Sequence, residues 1–298
     1  MQSKLLVSAV CFVFVAVFLL YLSYGVAVFR RELIDFKATP DDASAASIAA
    51  FQKISAVAEP VYWVLEDGSR QRAFMLPTNN GSSVIYAHGS PGSASGFAEM
   101  VSAMAAMGYG ALVLDLPGYG ESEGSRTWGP AYTESLIKGI DFLQQHDPQL
   151  ESIGAFGYSM GGVVVARAAS KDRRIRDLIL MASYTNLTEQ LHYSFKRRVP
   201  AMGYWAIAAA YWSGVEVSEM DLERSIRLEG QRLLVIGGDS DRVTPPYMQE
   251  RIAAQVEGAE LWLVEGGTHI NLPTITGDEF YDRLGDFLRE SEGTRILH

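Results

Sequence analysis

A serine lies between glycines near the middle of the chain, in a context that can make its hydroxyl a nucleophile. Ser159 is the third residue of Gly-Tyr-Ser-Met-Gly, which follows an apolar run at Ile153–Phe156 and precedes a helix-like stretch at Val163–Ala169. Where a strand turns sharply into a helix, small flanking residues let the serine occupy a strained, exposed position at the turn. The five-residue pattern also arises by chance in a glycine-rich chain. Its placement between a strand and a helix nevertheless predicts that Ser159 is catalytic.

A catalytic serine needs a general base, because its hydroxyl is a weak nucleophile on its own. The chain has five histidines. His269 follows the last predicted strand, at the carboxyl end where open α/β sheets place their ligands. His88 belongs to a separate motif, and the other three are expected to be solvated or to lie in an insertion: His146, His192 and His298. We therefore predict His269 as the base, against the alternative of an ordinary loop histidine.

Two carboxylates qualify as the group that orients the base. Asp239 and Asp241 both follow the apolar run Leu233–Ile236. A carboxylate beside the imidazole fixes its tautomer and stabilises the imidazolium that forms during acyl transfer. Either residue can instead cap the helix that is expected to begin near Pro245. The residues themselves leave this choice open.

A glycine-rich turn supplies candidates for stabilising the oxyanion. His-Gly-Ser-Pro-Gly at 88–92 follows the predicted strand Val84–Ala87. Acyl transfer needs N–H donors aimed at the oxygen that becomes negative in the transition state. We predict the backbone amides of Met160 and Ser90 in this oxyanion hole, whereas the alternative is an ordinary Gly/Pro turn. His88 is expected to be structural.

The elements that must position these residues alternate between short apolar runs and helix-length segments. An antiparallel hairpin is predicted at Val61–Leu65 and Ala73–Leu76, around a turn at 67–69. The later apolar runs are typical of strands buried on both faces, and amphipathic stretches separate them. These runs are Val84–Ala87, Ala111–Leu116, Ile153–Tyr158, Leu178–Met181, Leu233–Ile236 and Leu261–Val264. The alternation predicts an α/β fold in which a mostly parallel central sheet is flanked by helices.

The N-terminus has a different character from the rest of the chain. Leu5–Phe29 contains no charged residue, and as a helix it would span about 37 Å, more than the ~30 Å hydrocarbon layer of a bilayer. We predict a single transmembrane anchor at 1–31, followed by a juxtamembrane linker at 32–60. A cleaved signal peptide and a buried core helix are the alternatives. The predicted location is a membrane crossed once, and the side on which the catalytic domain lies stays open.

Composition excludes several other classes of protein. The 298 residues carry a net charge of −10 without a basic stripe, so nucleic acid is not expected as a partner. The single cysteine, Cys11, rules out an internal disulfide and a thiolate metal cluster. We predict neither a metal nor a cofactor.

Five segments resemble the α/β-hydrolase superfamily, and within it the small membrane-anchored serine hydrolases that include esterases, lipases and serine aminopeptidases. The segments occur in the order of the family, and they are 88–92, 115–122, 157–162, 238–245 and 267–269. The order Ser, Asp, His is also that of the superfamily. The family places its acid third after the glycine that ends the strand, which selects Asp241. The resemblance further implies that Asp115 and Ser122 are structural.

The resemblance also implies a catalytic domain at 61–298 with a small helical lid inserted at about 185–229. Within the lid, Val199–Val215 is uncharged and carries four aromatic residues, Tyr204, Trp205, Tyr211 and Trp212. This stretch is too short, and too interrupted by glycine and proline, for a second membrane span. It is either an apolar helix packed over the sheet or a lid that touches acyl chains or the membrane. The two interpretations stay open.

The resemblance implies a cofactor-free hydrolase that cleaves an ester, thioester, lipid or peptide bond through an acyl-enzyme. We expect a carboxylic ester hydrolase with Ser159, Asp241 and His269 as its triad. A serine peptidase is the alternative among enzymes, and a non-catalytic membrane-tethered interaction domain is the alternative outside them. The expected partners are a small acyl substrate and, through the N-terminal helix, a membrane. The oligomeric state stays open.

Overall fold

One central sheet organises the computed structural model, which describes residues 2–29, 52–53, 56–196 and 202–293. The strands are β1 Glu59–Val64, β2 Arg70–Leu76, β3 Ser82–Ala87, β4 Gly110–Leu114, β5 Ser152–Tyr158, β6 Ile175–Met181, β7 Arg232–Gly238 and β8 Glu260–Val264. They lie in the order β1-β2-β4-β3-β5-β6-β7-β8. β2 runs antiparallel to β1 and β4, and the other neighbours are parallel. The predicted hairpin and the mostly parallel sheet are therefore confirmed.

Helices cover both faces of the sheet, as predicted. The described helices are α1 Gln2–Phe29, α2 Ala98–Ala106, α3 Pro130–His146, α4 Met160–Ala169, α5 Leu187–Lys196, α6 Met202–Trp212, α7 Leu222–Ser225, α8 Pro246–Ala253, α9 Leu272–Thr276 and α10 Asp278–Gly293. Successive side chains of a strand point to opposite faces, and β5 sends Ala155 into one hydrophobic core and Phe156 into the other. Leu136 of α3 packs in the first core, and Leu284 of α10 packs in the second. Because both faces are covered, the ends of the strands are where a site can form.

The carboxyl ends of the parallel strands meet at one edge of the sheet. Ala87 at the end of β3 pairs with Gly157 near the end of β5. Gly238 at the end of β7 pairs with Val264 at the end of β8. Loops that leave parallel strands at their carboxyl ends emerge on the same side. The register therefore brings the loops after β3, β7 and β8 towards the turn after β5.

Buried polar contacts hold the turn after β4, where the resemblance implies structural roles for Asp115 and Ser122. Asp115 is fully buried, and its carboxylate accepts hydrogen bonds from the Ala94 amide and the Arg72 guanidinium. The Ser122 hydroxyl donates to the Asp115 carbonyl oxygen at 2.6 Å and accepts from the Arg72 amide at 2.8 Å. The Ser122 hydroxyl is thus held by structural hydrogen bonds, and it does not rival Ser159 as a candidate nucleophile.

The segment predicted as a lid lies between β6 and β7 and is helical, with residues 197–201 outside the described part of the chain. α6 buries Ala206, Ala209 and Ala210 in the core on one face of the sheet. Tyr211 and Trp212 at the end of α6 are 58% and 73% exposed. The buried alanines agree with an apolar helix packed over the sheet, and the exposed aromatic side chains keep the second interpretation of the lid open.

The N-terminal apolar run forms helix α1, whose side chains the structure describes at 11–21 and 23–27. Phe18 and Tyr21 contact Trp205 of the lid, with ring centroids 4.9 and 6.2 Å apart. In the part of the chain that the structure describes, no helix has both the length and the apolar character that crossing a membrane requires. The predicted transmembrane anchor is therefore not supported, and the contacts that the structure shows for this helix include Trp205 and, through Val26, a hydrophobic core.

Most of the predicted juxtamembrane linker, at 30–51 and 54–55, lies outside the described residues. The sheet begins slightly before the predicted start of the catalytic domain, because Glu59 and Pro60 pair with Met75 and Phe74 of β2. Pro60 has no N–H to donate, which is tolerated here because β1 is an edge strand.

Candidate active site

Ser159 lies at the sharp turn between β5 and α4. Its φ of 52° is a left-handed value that is unusual for a residue with a side chain and that indicates strain. The Ser159 amide donates to the Met181 carbonyl oxygen on the neighbouring strand at 2.9 Å, which fixes the turn. A Cβ at Gly161 would lie 2.0 Å from the Ala87 carbonyl oxygen, so only glycine fits there. Gly161 is therefore required by the turn that presents the Ser159 hydroxyl.

Asp241 and His269 form a hydrogen-bonded pair. Oδ2 of Asp241 lies 2.9 Å from Nδ1 of His269, and the carboxylate is buried while the imidazole side chain is 15% exposed. Because an ionised carboxylate can only accept, His269 donates from Nδ1. In the neutral imidazole the lone pair then lies on Nε2, which is the tautomer that a general base needs.

Four hydrogen bonds hold the Asp241 carboxylate. Oδ1 accepts the amides of Val243 and Thr244 at 2.7 and 3.0 Å, and Oδ2 accepts the Thr244 hydroxyl at 2.8 Å besides His269. Burial by itself would raise the pKa of Asp241. The hydrogen bond from His269, the charge of that ring and the two amides outweigh burial and lower the pKa below its ordinary value. Asp241 is therefore ionised at neutral pH and can stabilise an imidazolium.

Asp239 has a different role from Asp241. It is exposed, and its Oδ1 accepts the Gly266 amide and the Ser240 hydroxyl, each at 2.9 Å. Gly266 belongs to the loop that carries His269, so Asp239 ties the loop after β7 to the loop after β8. The structure thus places Asp241, rather than Asp239, against the imidazole.

Tyr158 connects the turn at Ser159 to His269. Its hydroxyl donates to the His269 carbonyl oxygen at 3.1 Å, and its ring centroid lies 5.3 Å from that of the imidazole. Among the described residues, no hydrogen bond joins the Ser159 hydroxyl to His269. The structure therefore brings Asp241 and His269 together and places Ser159 next to a side chain that holds His269.

His88 is a structural histidine, as expected. It is 3% exposed, its Nδ1 donates to the Gly89 carbonyl oxygen at 2.7 Å, and its Nε2 accepts the Leu116 amide at 3.1 Å. Burial lowers the pKa of His88 and outweighs the hydrogen bond to Gly89 and the charge of Asp115, which act in the opposite direction. His88 is therefore neutral with both nitrogens engaged, and it fixes the start of the 88–92 loop.

The predicted oxyanion donors flank the nucleophile. Met160 is the first residue of α4, so its amide has no partner inside the helix and lies at the positive end of the helix dipole. The loop that contains Ser90 comes to the same place, because a Cβ added at Gly89 would lie 3.2 Å from the Cβ of Ser159. Backbone from both donors therefore lies beside the turn, and their role stays a prediction.

The sequence motifs do not single out three polar side chains that support the site. Thr244 holds Asp241, Tyr158 holds His269, and the Tyr119 hydroxyl lies 2.7 Å from the Ser90 hydroxyl. Each lies inside one of the segments that carry the resemblance, but nothing in those segments marks its role. Their contacts depend on the directions of loop side chains, and composition does not encode those directions.

The described residues contain no group of three or more His, Cys, Asp or Glu side chains that is placed to hold a metal ion. The polar groups at the carboxyl edge of the sheet include a serine hydroxyl, an imidazole, a buried carboxylate and backbone amides. This is the set of groups that acyl transfer to a serine uses.

Comparison with known proteins finds one family model and several relatives. Residues 78–223 match the family model described as serine aminopeptidase, S33. The chain is 28% identical over 258 residues to the uncharacterized protein YfhR of Escherichia coli K12, and the match covers 80% of this chain and 81% of YfhR. It is 26% identical over 268 residues to the uncharacterized protein Rv2307c of Mycobacterium tuberculosis H37Rv, with 88% of each chain covered.

A solved structure has the same fold. The Pyrococcus furiosus esterase Pf2001 superposes with a TM-score of 0.66 at 20% sequence identity, covering 80% of this chain and 94% of that chain. At this identity the likeness shows the fold alone. Taken with the family match over residues 78–223, the order of the strands and the strained turn at Ser159, it shows that the protein is a hydrolase with the α/β-hydrolase fold.

Proposed function

We propose that the protein hydrolyses carboxylic esters through an acyl-enzyme formed on Ser159. Nε2 of His269 takes the proton of the Ser159 hydroxyl as the oxygen attacks the ester carbonyl carbon. The carbonyl oxygen becomes negative, and the amides of Met160 and Ser90 stabilise it. Collapse of this intermediate expels the alcohol, which receives its proton from His269. A water molecule, activated by the same imidazole, then releases the acid.

The Asp241–His269 pair beside a strained serine turn is the observation that carries this proposal. An ionised carboxylate behind the imidazole stabilises the charge that His269 acquires when it takes the proton. A residue with a side chain keeps a φ of 52° only where the surrounding structure enforces it, and such positions cluster at functional sites. The hydrogen bond between Ser159 and His269 belongs to the proposal, because catalytic contacts of this kind often tighten only when substrate is bound.

Ser159→Ala is the direct test. Wild-type protein and variant are treated with a fluorophosphonate probe and assayed with p-nitrophenyl acetate. We expect the wild type to be labelled at Ser159 and to hydrolyse the ester. The variant should remain unlabelled and keep only the small rate that binding and oxyanion stabilisation provide. Equal unfolding temperatures serve as the control for folding, and turnover by the variant at a near wild-type rate contradicts the assignment.

Peptide hydrolysis is the second candidate, because the matching family model is described as a serine aminopeptidase. An aminopeptidase must recognise the free amino group of its substrate, whereas an esterase need not. Leucyl p-nitroanilide, N-acetyl-leucyl p-nitroanilide and a series of p-nitrophenyl esters separate the two activities. We expect turnover of the esters and negligible turnover of both anilides. Rapid hydrolysis of the free-amine anilide alone would identify an aminopeptidase.

We also propose that the protein associates with a membrane through its N-terminal region. The support is the uncharged run Leu5–Phe29 and the exposure of apolar side chains on α1, such as Phe12 and Leu20 at 75% and 71%. The test is fractionation of cells that express the full-length chain, followed by carbonate and then detergent extraction of the pellet. We expect the protein in the detergent extract, and recovery in the soluble fraction contradicts this proposal.

A further inference from the structure

The phenol of Tyr119 is fixed beside the oxyanion loop by contacts on several sides. Tyr119 is 1% exposed, with the His88 ring 4.9 Å away on one side and the Arg126 guanidinium carbon 4.2 Å from the ring centroid. Its hydroxyl lies 2.7 Å from the Ser90 hydroxyl and receives the indole N–H of Trp128 at 3.1 Å. The contact with Ser90 therefore involves a side chain that cannot easily turn away.

The direction of these hydrogen bonds follows from counting protons. The indole nitrogen of Trp128 can only donate, so the Tyr119 oxygen accepts from it. A phenol carries one proton, and burying that proton without an acceptor is costly. The neighbouring hydroxyl of Tyr132 makes no hydrogen bond of regular geometry, so the Ser90 oxygen, 2.7 Å away, is the acceptor for the Tyr119 proton. Tyr119 therefore donates to Ser90.

This direction leaves the proton of the Ser90 hydroxyl available. Among the described residues no other group accepts it, and Ser90 is half-buried in the loop that adjoins the nucleophile through Gly89 and Ser159. We propose that the side-chain hydroxyl of Ser90, oriented by Tyr119, donates a third hydrogen bond to the substrate oxyanion, in addition to the two backbone amides. This inference rests on the proposed function, because it concerns the same tetrahedral intermediate.

Tyr119 and Trp128 act in this scheme as positioning residues. A serine hydroxyl rotates freely unless its oxygen is engaged. Because the Tyr119 proton occupies one side of the Ser90 oxygen, the Ser90 proton is directed away from Tyr119. A donor that is fixed before charge develops needs no reorganisation in the transition state. Its hydrogen bond strengthens as the oxygen becomes negative, so its loss should lower kcat and leave KM nearly unchanged.

Ser90→Ala tests the hydroxyl without touching the amide, since alanine keeps the backbone N–H. We expect kcat for p-nitrophenyl acetate to fall by about 100-fold, the lower end of the cost of losing one oxyanion donor. Ser90→Thr should restore part of the rate. Tyr119→Phe should lower kcat by less, and it should have no further effect in the Ser90→Ala background, because Tyr119 acts through Ser90. Tyr132→Phe is the matched control and should keep the wild-type kcat.

A boronic acid forms a tetrahedral adduct with the catalytic serine and so resembles the intermediate. Its affinity should change if the Ser90 hydroxyl stabilises that intermediate, and should not change if the hydroxyl is merely structural. The inhibition constant of Ser90→Ala should rise by the factor by which kcat/KM falls, at an unchanged unfolding temperature. An unchanged kcat in Ser90→Ala overturns the inference. A Tyr119→Phe effect that persists undiminished in the Ser90→Ala background, or a loss in Tyr132→Phe equal to that in Tyr119→Phe, also overturns it.

Labelling of Ser159 with the fluorophosphonate separates failure of this inference from failure of the proposed function. A Ser90→Ala variant that is labelled and turns over like the wild type refutes the role of the Ser90 hydroxyl alone. Wild-type turnover that does not depend on Ser159 refutes the proposed function, and the inference falls with it.

Discussion

Replacing Asp241 by asparagine removes the negative charge behind the imidazole and keeps the shape of the side chain. Oδ2 of Asp241 lies 2.9 Å from Nδ1 of His269, and the carboxylate side chain is fully buried. At an effective dielectric constant of about 20, two unit charges at this separation interact by roughly 6 kcal/mol. A change of about 1.4 kcal/mol in a barrier corresponds to a factor of ten in rate. Loss of this stabilisation from the transition state, where His269 is charged, therefore corresponds to about four powers of ten in kcat.

Asp239→Asn is the matched control, because it makes the same chemical change in the same loop. The side-chain oxygen of asparagine can still accept the Gly266 amide, and the position is exposed. The change leaves the Asp241–His269 pair untouched. We therefore expect kcat to fall by no more than about threefold, the equivalent of a weakened neutral hydrogen bond.

Initial rates with p-nitrophenyl acetate over a range of concentrations give kcat and KM for both variants. Their unfolding temperatures show whether the fold is intact. Loss of the acid from a catalytic triad lowers kcat by far more than tenfold. The reasoning is therefore refuted if folded Asp241→Asn keeps more than about a tenth of the wild-type kcat. It is equally refuted if Asp239→Asn is the more damaged variant.

Two further predictions concern the surroundings of Asp241. Thr244→Val should lower kcat by about tenfold at constant KM, because valine keeps the shape of the side chain but removes its hydroxyl. That hydroxyl shares its proton between Asp241 Oδ2 at 2.8 Å and the Ala182 carbonyl oxygen at 3.0 Å. Steady-state kinetics checks this, and an unchanged kcat removes Thr244 from the site. In acid, the free energy of unfolding should fall more steeply for the wild type than for Asp241→Asn. The pKa of Asp241 is lower in the folded protein than in the unfolded chain, where it is about 4. The ionised carboxylate therefore contributes its full stabilisation above the unfolded pKa, and this stabilisation is lost as the pH falls through the folded pKa. Urea unfolding between about pH 7 and pH 3 measures the difference, and parallel declines in the two proteins would contradict the prediction.

Sequence patterns predicted those features of the site that only a few backbone arrangements can provide. An apolar strand, a serine between glycines and a following helix leave one arrangement, the tight turn at which Ser159 has a φ of 52°. The alternation of buried runs with amphipathic segments predicted the parallel sheet, because strands covered on both faces lack polar positions. His269 could be placed at the carboxyl edge because the last predicted strand ends just before it.

Other features depend on directions that the sequence does not encode. Asp239 and Asp241 are the same residue type in one loop, and only the orientation of each side chain decides which meets His269 and which accepts the Gly266 amide. The apolar run of α1 has the same composition whether its surroundings are lipid or aromatic side chains, so its contact with Trp205 could not be inferred from hydropathy.

The loop that carries His269 is tied from two sides, by the Tyr158 hydroxyl on the His269 carbonyl oxygen and by Asp239 on the Gly266 amide. Both ties come from the ends of sheet strands, β5 and β7. The segment predicted as a lid, at about 185–229, lies between β6 and β7. Insertions and substitutions there can reshape the space around an acyl group while the base keeps its alignment. Across related chains we therefore expect substrate range to diverge through the lid, so that selectivity can evolve without repeated adjustment of the bond-breaking groups.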